Sequence, residues 1–104
     1  MVTSWSITPV LAGCDAGWRQ EADMCYMVTP AKYRHEDAVN FCLSYGSELA
    51  KLSGANILFL RSLSSAEGMW IAPPPNYTMT STHTIAQDCS TKLQAICWKQ
   101  ASQP

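Results

Sequence analysis

Residues 36–50 read Glu36-Asp37-Ala38-Val39-Asn40-Phe41-Cys42-Leu43-Ser44-Tyr45-Gly46-Ser47-Glu48-Leu49-Ala50. Ala38, Phe41, Cys42 and Tyr45 stand at i, i+3, i+4 and i+7, the apolar stripe of an amphipathic helix. Glu36 and Asp37 fall in its first turn, where carboxylates meet the positive end of the helix dipole. Gly46 follows the last apolar residue, the usual place for a C-terminal stop.

Working outward, a second and shorter helix is expected over residues 55–63. Ile57, Leu60 and Phe59 would face the core, Ser53 or Gly54 would start the helix, and Ser62 to Ser65 would end it. Met69-Trp70-Ile71-Ala72 reads as a buried strand stopped by Pro73, Pro74 and Pro75. Residues 76–87 are rich in Thr, Ser and Asn and carry no charge apart from any on His83, which reads as loop. Leu93-Gln94-Ala95-Ile96-Cys97-Trp98 alternates apolar and polar like a half-buried strand, and Lys99 to Pro104 then reads as a frayed tail. Towards the N-terminus, Cys14 to Cys25 suits a short clipped hairpin. Tyr26-Met27-Val28 follows as a strand ended by Thr29-Pro30, and residues 1–13, broken by Pro9 and Gly13, read as an arm. Helices lying between strand segments, with no internal repeat, indicate an α+β fold.

The chain of 104 residues is 47% hydrophobic, enough for one core. At that size about a third of the unfolded surface stays exposed, so covalent staples matter. Seven Lys and Arg against eight Asp and Glu, with no run of either sign, give no phosphate-binding stripe and exclude nucleic acid as the expected partner. No basic amphipathic helix marks a membrane surface, and no apolar stretch approaches the ~20 residues of a bilayer span. The opening nine residues lack the positive start and apolar core of a secretion signal. Any signal, stalk or anchor of the parent protein is therefore expected outside these residues.

Five cysteines in so short a chain point to an oxidising compartment and a disulfide framework. A zinc site is the competing reading, but Cys14, Cys25, Cys42, Cys89 and Cys97 contain no Cys-x-x-Cys pair, and His35 and His83 stand alone. Spacing leaves the pairing open among about 15 arrangements.

The order of these features resembles the C-type-lectin-like domain. Cys14-Asp15-Ala16-Gly17-Trp18 with Cys25-Tyr26 looks like the clipped hairpin of that family's long form. The helix ending at Cys42 and the step Gly46-Ser47-Glu48-Leu49-Ala50 follow in the family's order. Trp70-Ile71-Ala72-Pro73 corresponds to its Trp-Ile-Gly-Leu core strand, and Cys89 with Cys97 to its closing cysteines. The resemblance covers residues 14–99, which would form the domain between an arm (1–13) and a tail (100–104). It implies two helices flanking a small antiparallel sheet, with disulfides Cys14–Cys25 and Cys42–Cys97.

Three departures carry information. His35 occupies a position where the family often has Trp. Pro73 to Pro75 replace the end of the core motif. The stretch between Trp70 and Cys89 is short, without the long loop and the further cysteine of sugar-binding members. Calcium takes six to eight oxygen ligands, usually several of them carboxylates, yet residues 69–87 contain no Asp or Glu and only Asp88 stands beside them. The family's Glu-Pro-Asn, Gln-Pro-Asp and Trp-Asn-Asp signatures are absent. No calcium site, metal or cofactor is expected.

Several residues remain as candidates. Asn76-Tyr77-Thr78 is an N-glycosylation sequon, a glycan acceptor or a chance triplet. The implied pairing leaves Cys89 for an intermolecular bridge, a free thiol, or a small core position. No acyl-transfer, metalloprotease, phosphate-loop or dinucleotide motif is present, and Glu36 and Asp37 lie about 100° apart on their helix, so no enzyme is expected. Trp18 and Trp70 match core positions of the family. Trp5 and Trp98 stand outside its frame and are candidate interface anchors, with packing against the hairpin as the alternative. By resemblance the chain looks like domains of natural-killer-type receptors and of some poxviral envelope glycoproteins. That implies an extracellular, calcium-independent, protein-binding domain, dimeric and membrane-attached only through segments outside this chain. The alternatives are a calcium-independent, hyaluronan-type glycan binder, as in link modules whose Cys-x-Ala-Gly-Trp segment echoes residues 14–18, and a structural or assembly protein.

Overall fold

Asp15 to Trp18 form a tight turn in which the Trp18 N–H donates to the Asp15 carbonyl at 3.0 Å, and Gly17 supplies the φ of +89° that the turn needs. The chain then enters a hairpin of β1 (Arg19–Glu21) and β2 (Met24–Val28), registered Arg19 to Tyr26 and Glu21 to Met24. Cys14 is bonded to Cys25 within β2. The computed structural model describes residues 13–72, 77–79, 84–86 and 88–101. Trp5, Asn76 and His83 lie outside them.

Helix α1 (His35–Ser44) buries Ala38 and Cys42. Its end is a Schellman arrangement: Gly46, at φ +68°, donates to the Leu43 carbonyl and Ser47 to the Cys42 carbonyl, each at 3.0 Å. The stripe expected from the sequence is shorter by one residue. Tyr45 has left helical geometry at the C-cap (φ −106°, ψ 18°), and its ring stands 48% exposed instead of facing the core.

The main sheet has the order β1-β2-β7-β3, with β3 (Glu48–Leu49) and β7 (Ile96–Gln100) antiparallel to their neighbours. Side chains alternate between its faces. Tyr26, Ile96 and Trp98 meet Leu60 of α2 (Ile57–Leu63) on one face, while Met27 and Cys97 meet Ala38 and Cys42 of α1 on the other. The Cys42–Cys97 disulfide joins that helix to the second residue of β7. Helix α2 starts two residues later than expected because the chain first turns at Asn56. Its buried side chain accepts the Ser53 N–H at 2.8 Å and donates to the Lys51 carbonyl at 2.8 Å and the Tyr26 hydroxyl at 3.2 Å.

A second sheet, ordered β4-β5-β6, joins β4 (Met69–Trp70) to β5 (Tyr77–Met79) and β6 (Thr84–Ala86). These last two strands replace the loop expected over 76–87. Tyr, Thr and Ile are strand formers, but three-residue runs without an apolar alternation give little periodic signal. Parallel bridges from Trp70 to Ala95 and from Ala72 to Lys51 tie the two sheets together. Trp70 is fully buried, and its indole N–H donates to the Tyr33 carbonyl at 2.9 Å. Removing such a side chain typically costs about 3–5 kcal/mol.

The C-terminal boundary also moves. β7 runs through Lys99 and Gln100, and Ala101 is buried with its N–H donating to the Asp23 carbonyl at 2.8 Å. The frayed end therefore does not begin at Lys99: that residue and Gln100 pair with Cys25 and Met24 of β2.

Ala22, the first residue of the two-residue hairpin turn, has φ +56°, a region that costs a side-chain-bearing residue roughly 1–2 kcal/mol. Ala22→Gly removes that strain but adds unfolded-state entropy. The net expectation is a stabilisation of about 0.5–1 kcal/mol, measured as a raised urea midpoint with unchanged m-value; an unchanged or lowered midpoint would contradict a left-handed Ala22.

Candidate functional site

Helix periodicity turns Ala38 and Cys42 inward, so Leu43, next in sequence, is turned outward. It is 59% exposed, and with Tyr45 at the C-cap it forms a pair of large exposed side chains at the end of α1. β7 passes beside them, since Cys97 is bonded to Cys42 and is followed by Trp98 and Lys99. Two open grooves result, and Lys99 lines both. One, of about 710 Å³, is bordered by Leu43, Glu48, Met24 and Trp98. The other, of about 350 Å³, runs between Tyr45, Trp18 and Met27 and ends at Asp15.

The ridge between the grooves is fixed. Lys99 Nζ lies 3.0 Å from the Asp15 carboxylate and 4.4 Å from the centre of the Trp18 ring. The Lys99 side chain is 25% exposed, so its ammonium is partly desolvated, while Asp15 neutralises it. A cation over an aromatic face adds about 0.5–1 kcal/mol at such exposed sites. On the α1 side, Tyr33, Phe41 and Tyr45 stack in sequence with centroids 5.2 and 4.9 Å apart, which steadies the Tyr45 ring. The face is thus aromatic, rich in methionine, almost neutral and built on a helix end and two strands. Such side chains suit burial against another macromolecule.

The candidates named from sequence fall in different places. Trp98 is half-buried against Tyr26, at 5.8 Å between ring centres, and also borders the larger groove. Cys89 is exposed with a free thiol, in a turn where the Asp88 carboxylate accepts the Ser90 N–H and hydroxyl, each at 2.9 Å. Those bonds, the backbone one first, hold the Asp88 carboxyl below its ordinary pKa. Among the described residues no three His, Cys, Asp or Glu side chains gather. Leu43 and Lys99 were not singled out from sequence as site residues, and Tyr45 was read as part of the buried helix stripe. Leu43 had a signal for exposure, as an apolar residue one step past a core cysteine.

No family model and no curated protein matches the sequence. Solved structures do match the architecture. The carbohydrate-recognition domain of the mouse scavenger receptor C-type lectin superposes with a TM-score of 0.76 at 17% identity, covering 88% of this chain and 99% of that one. A calcium-independent type II antifreeze protein gives 0.76 at 18% identity, covering 88% and 98%.

The fold is C-type-lectin-like.

A calcium-dependent type II antifreeze protein, in its calcium-free form, also matches, with a TM-score of 0.70 at 17% identity over 84% of this chain and all of that one. The C-type-lectin-like fold therefore does not by itself decide calcium use; the donor set decides. In this chain residues 69–87 contain no Asp or Glu.

Within the C-type-lectin-like frame, His35 fills the place expected for Trp. Its ring meets the edge of Trp70 with centroids 5.2 Å apart, and its main-chain N–H caps the helix start by donating to the Cys89 carbonyl at 3.0 Å. Its Nε2 is buried without a hydrogen-bond partner among the described residues, and burial lowers the imidazole pKa. A lowered folded-state pKa means that the unfolded chain binds the proton first. The stability from neutral His35 is thus complete above the ordinary imidazole value of about 6.5 and declines as pH falls below it. Melting temperature should drop between pH 7.5 and pH 5, and His35→Phe should reduce that drop; an equal drop in both proteins would show that His35 is not its source.

Proposed function

We propose that this chain is an extracellular, calcium-independent protein-recognition domain that binds its partner through the Leu43–Tyr45 face and acts as a dimer. The observation that carries the reading is the placement of exposed Tyr45, a residue type enriched at interface hot spots, and exposed Leu43 beside grooves floored by Trp98, Met24, Trp18 and Met27. Interfaces draw most of their energy from a few such aromatic and apolar anchors, surrounded by polar groups that exclude water. Lys99, Asp15 and Glu48 supply that polar component here. The two disulfides fit an oxidising, extracellular setting. The absence of carboxylates in 69–87 supports recognition without calcium.

The same reading takes Asn76 as a glycan acceptor and the exposed Cys89 thiol as available for a bridge between chains. No catalytic step is assigned. Among the described residues, the contact between His35 and Cys89 is a main-chain hydrogen bond, and no base is positioned on the thiol.

The test is a binding screen of the folded domain against extracellular proteins and against a glycan panel including hyaluronan, each with calcium and with EDTA. The expected result is a protein ligand whose affinity is unchanged by EDTA. Leu43→Glu and Tyr45→Ala should each lower that affinity at least about tenfold while keeping the wild-type melt, since hot-spot losses exceed about 1.4 kcal/mol. Salt-sensitive retention of hyaluronan with no protein ligand would replace the reading with glycan recognition, and a calcium requirement would overturn its calcium-independence.

A further inference from the structure

Two residues of the larger groove offer more than apolar surface. Glu48 of β3 is registered opposite Trp98 of β7, and Trp98 opposite Tyr26 of β2. Directly opposed residues send their side chains to the same face of the sheet, with Cβ atoms about 5 Å apart. The exposed Glu48 carboxylate therefore stands beside a half-buried indole, and both border the groove together with Met24 and Leu43.

No Lys or Arg of the chain answers that carboxylate. All seven of them lie among the described residues, and their ion pairs join Lys32 to Glu67, Arg34 to Asp37 and Lys99 to Asp15. Lys99 follows Trp98 on β7, but alternation sends its side chain to the opposite face of the sheet. There Asp15 and the Trp18 ring hold its ammonium. Arg19 shares the cross-strand row of Tyr26 and Trp98, yet it stands three strand spacings from Glu48. That is about 14 Å, beyond the screening length of about 8 Å at physiological salt.

We propose that the Glu48–Trp98 pair is a subsite for a basic side chain of the partner protein, arginine in preference to lysine. This rests on the proposed use of the face for protein recognition and specifies one residue of the ligand. A guanidinium lies flat against an aromatic ring while its fork donates to a carboxylate, and its carbon stem covers apolar surface. Glu48, Trp98 and Met24 present those three surfaces in one groove. Leu43, on the border of the same groove, takes an apolar neighbour of the basic residue. A partner that closed the groove with a neutral residue would bury the Glu48 carboxylate unpaired, so the acid also acts against wrong ligands.

The experiment titrates the full chain with acetyl-Leu-Arg-Leu-amide and with the same peptide carrying lysine or citrulline at its centre. Citrulline keeps the shape of arginine and removes the charge. Binding is read by NMR at the Trp98 indole N–H and at the main-chain N–H groups of Glu48 and Gln100. The arginine peptide should give saturable shifts there, the lysine peptide should bind more weakly, and the citrulline peptide at least about tenfold more weakly. Added salt should weaken the arginine peptide and leave the citrulline peptide unchanged. Glu48→Gln should erase the preference for arginine over citrulline without moving the melt, and Glu48→Lys should reverse it in favour of a central glutamate. Equal binding of the arginine and citrulline peptides in this groove would overturn the basic subsite and leave the face as the recognition surface. An arginine preference that survives Glu48→Gln would overturn it too, since the cation would then lie elsewhere. If none of the three peptides gave saturable shifts, the subsite would fall, while a protein ligand sensitive to Leu43 and Tyr45 would still stand. Arginine-specific shifts at Glu48 and Trp98, together with a screen that yields only glycans, would keep the subsite and overturn the protein-recognition reading.

Discussion

One covalent link sets most of the geometry described above. Cys42 lies on the inward face of α1 and Cys97 near the start of β7, 55 residues apart in sequence. In the chain-entropy view, closing a loop of that length removes about 4 kcal/mol of freedom from the unfolded chain. Its structural effect is more local. The bond clamps the last full turn of the helix to the second residue of the strand. The residues that follow Cys42 are then held close to those that follow Cys97, whose side chains alternate between the two faces of the sheet. Leu43 and Tyr45 are placed beside Trp98 and Lys99 for that reason, and the grooves are a consequence of the staple and not of a separate loop.

The core divides accordingly. The face of the sheet under the staple packs small residues, Ala38, Ala95 and the cystine itself, around the large ring of Trp70. The other face packs Leu60, Met69, Ile71 and Ile96 with Tyr26. Close approach of α1 to the sheet depends on the small set. Helix α2 meets the sheet through larger side chains and needs a polar fixture, Asn56, whose amide satisfies the Lys51 carbonyl and the hydroxyl of Tyr26 where water is excluded. A buried amide left partly unsatisfied would cost about 1–3 kcal/mol, so this residue limits where α2 can start.

How much of this was legible in the sequence varied with the length and contrast of each pattern. Ala38, Cys42 and Gly46 announced α1 because an apolar period and a glycine stop agree. Leu60 and Trp70 were placed in the core on similar grounds, and the two disulfides in the structure pair the cysteines that the resemblance implied. Tyr45 was misread because periodicity continues on paper past the residue where the backbone stops being helical. Lys99 and Gln100 looked like a tail because polar residues at a chain end carry no contrast; only the ladder to Cys25 and Met24 shows them as strand. β5 and β6 were illegible for the opposite reason, since three-residue strands are shorter than any period they could display. The proposed binding face was scarcely legible at all. It draws on residues 15–27, 43–48 and 98–100, and only the fold makes these neighbours.

The charge pattern of that face bears on how it would recognise a partner. Lys99 is its central cation, and Asp15 lies 3.0 Å away, so the pair presents little net field. The whole chain carries a formal charge of −1. Long-range steering, which raises association rates where opposite fields meet, therefore has little to act on. Association through this surface belongs in the ordinary range of about 10⁵–10⁷ M⁻¹s⁻¹, and affinity is set by how slowly the partner leaves. Slow departure requires apolar burial and rigid walls. The Trp18 ring held under Lys99, and the Tyr33–Phe41–Tyr45 stack, provide the walls. Lys99 thus contributes through packing and orientation more than through charge: it fixes an aromatic wall on one side and separates the two grooves, while its own charge is largely cancelled.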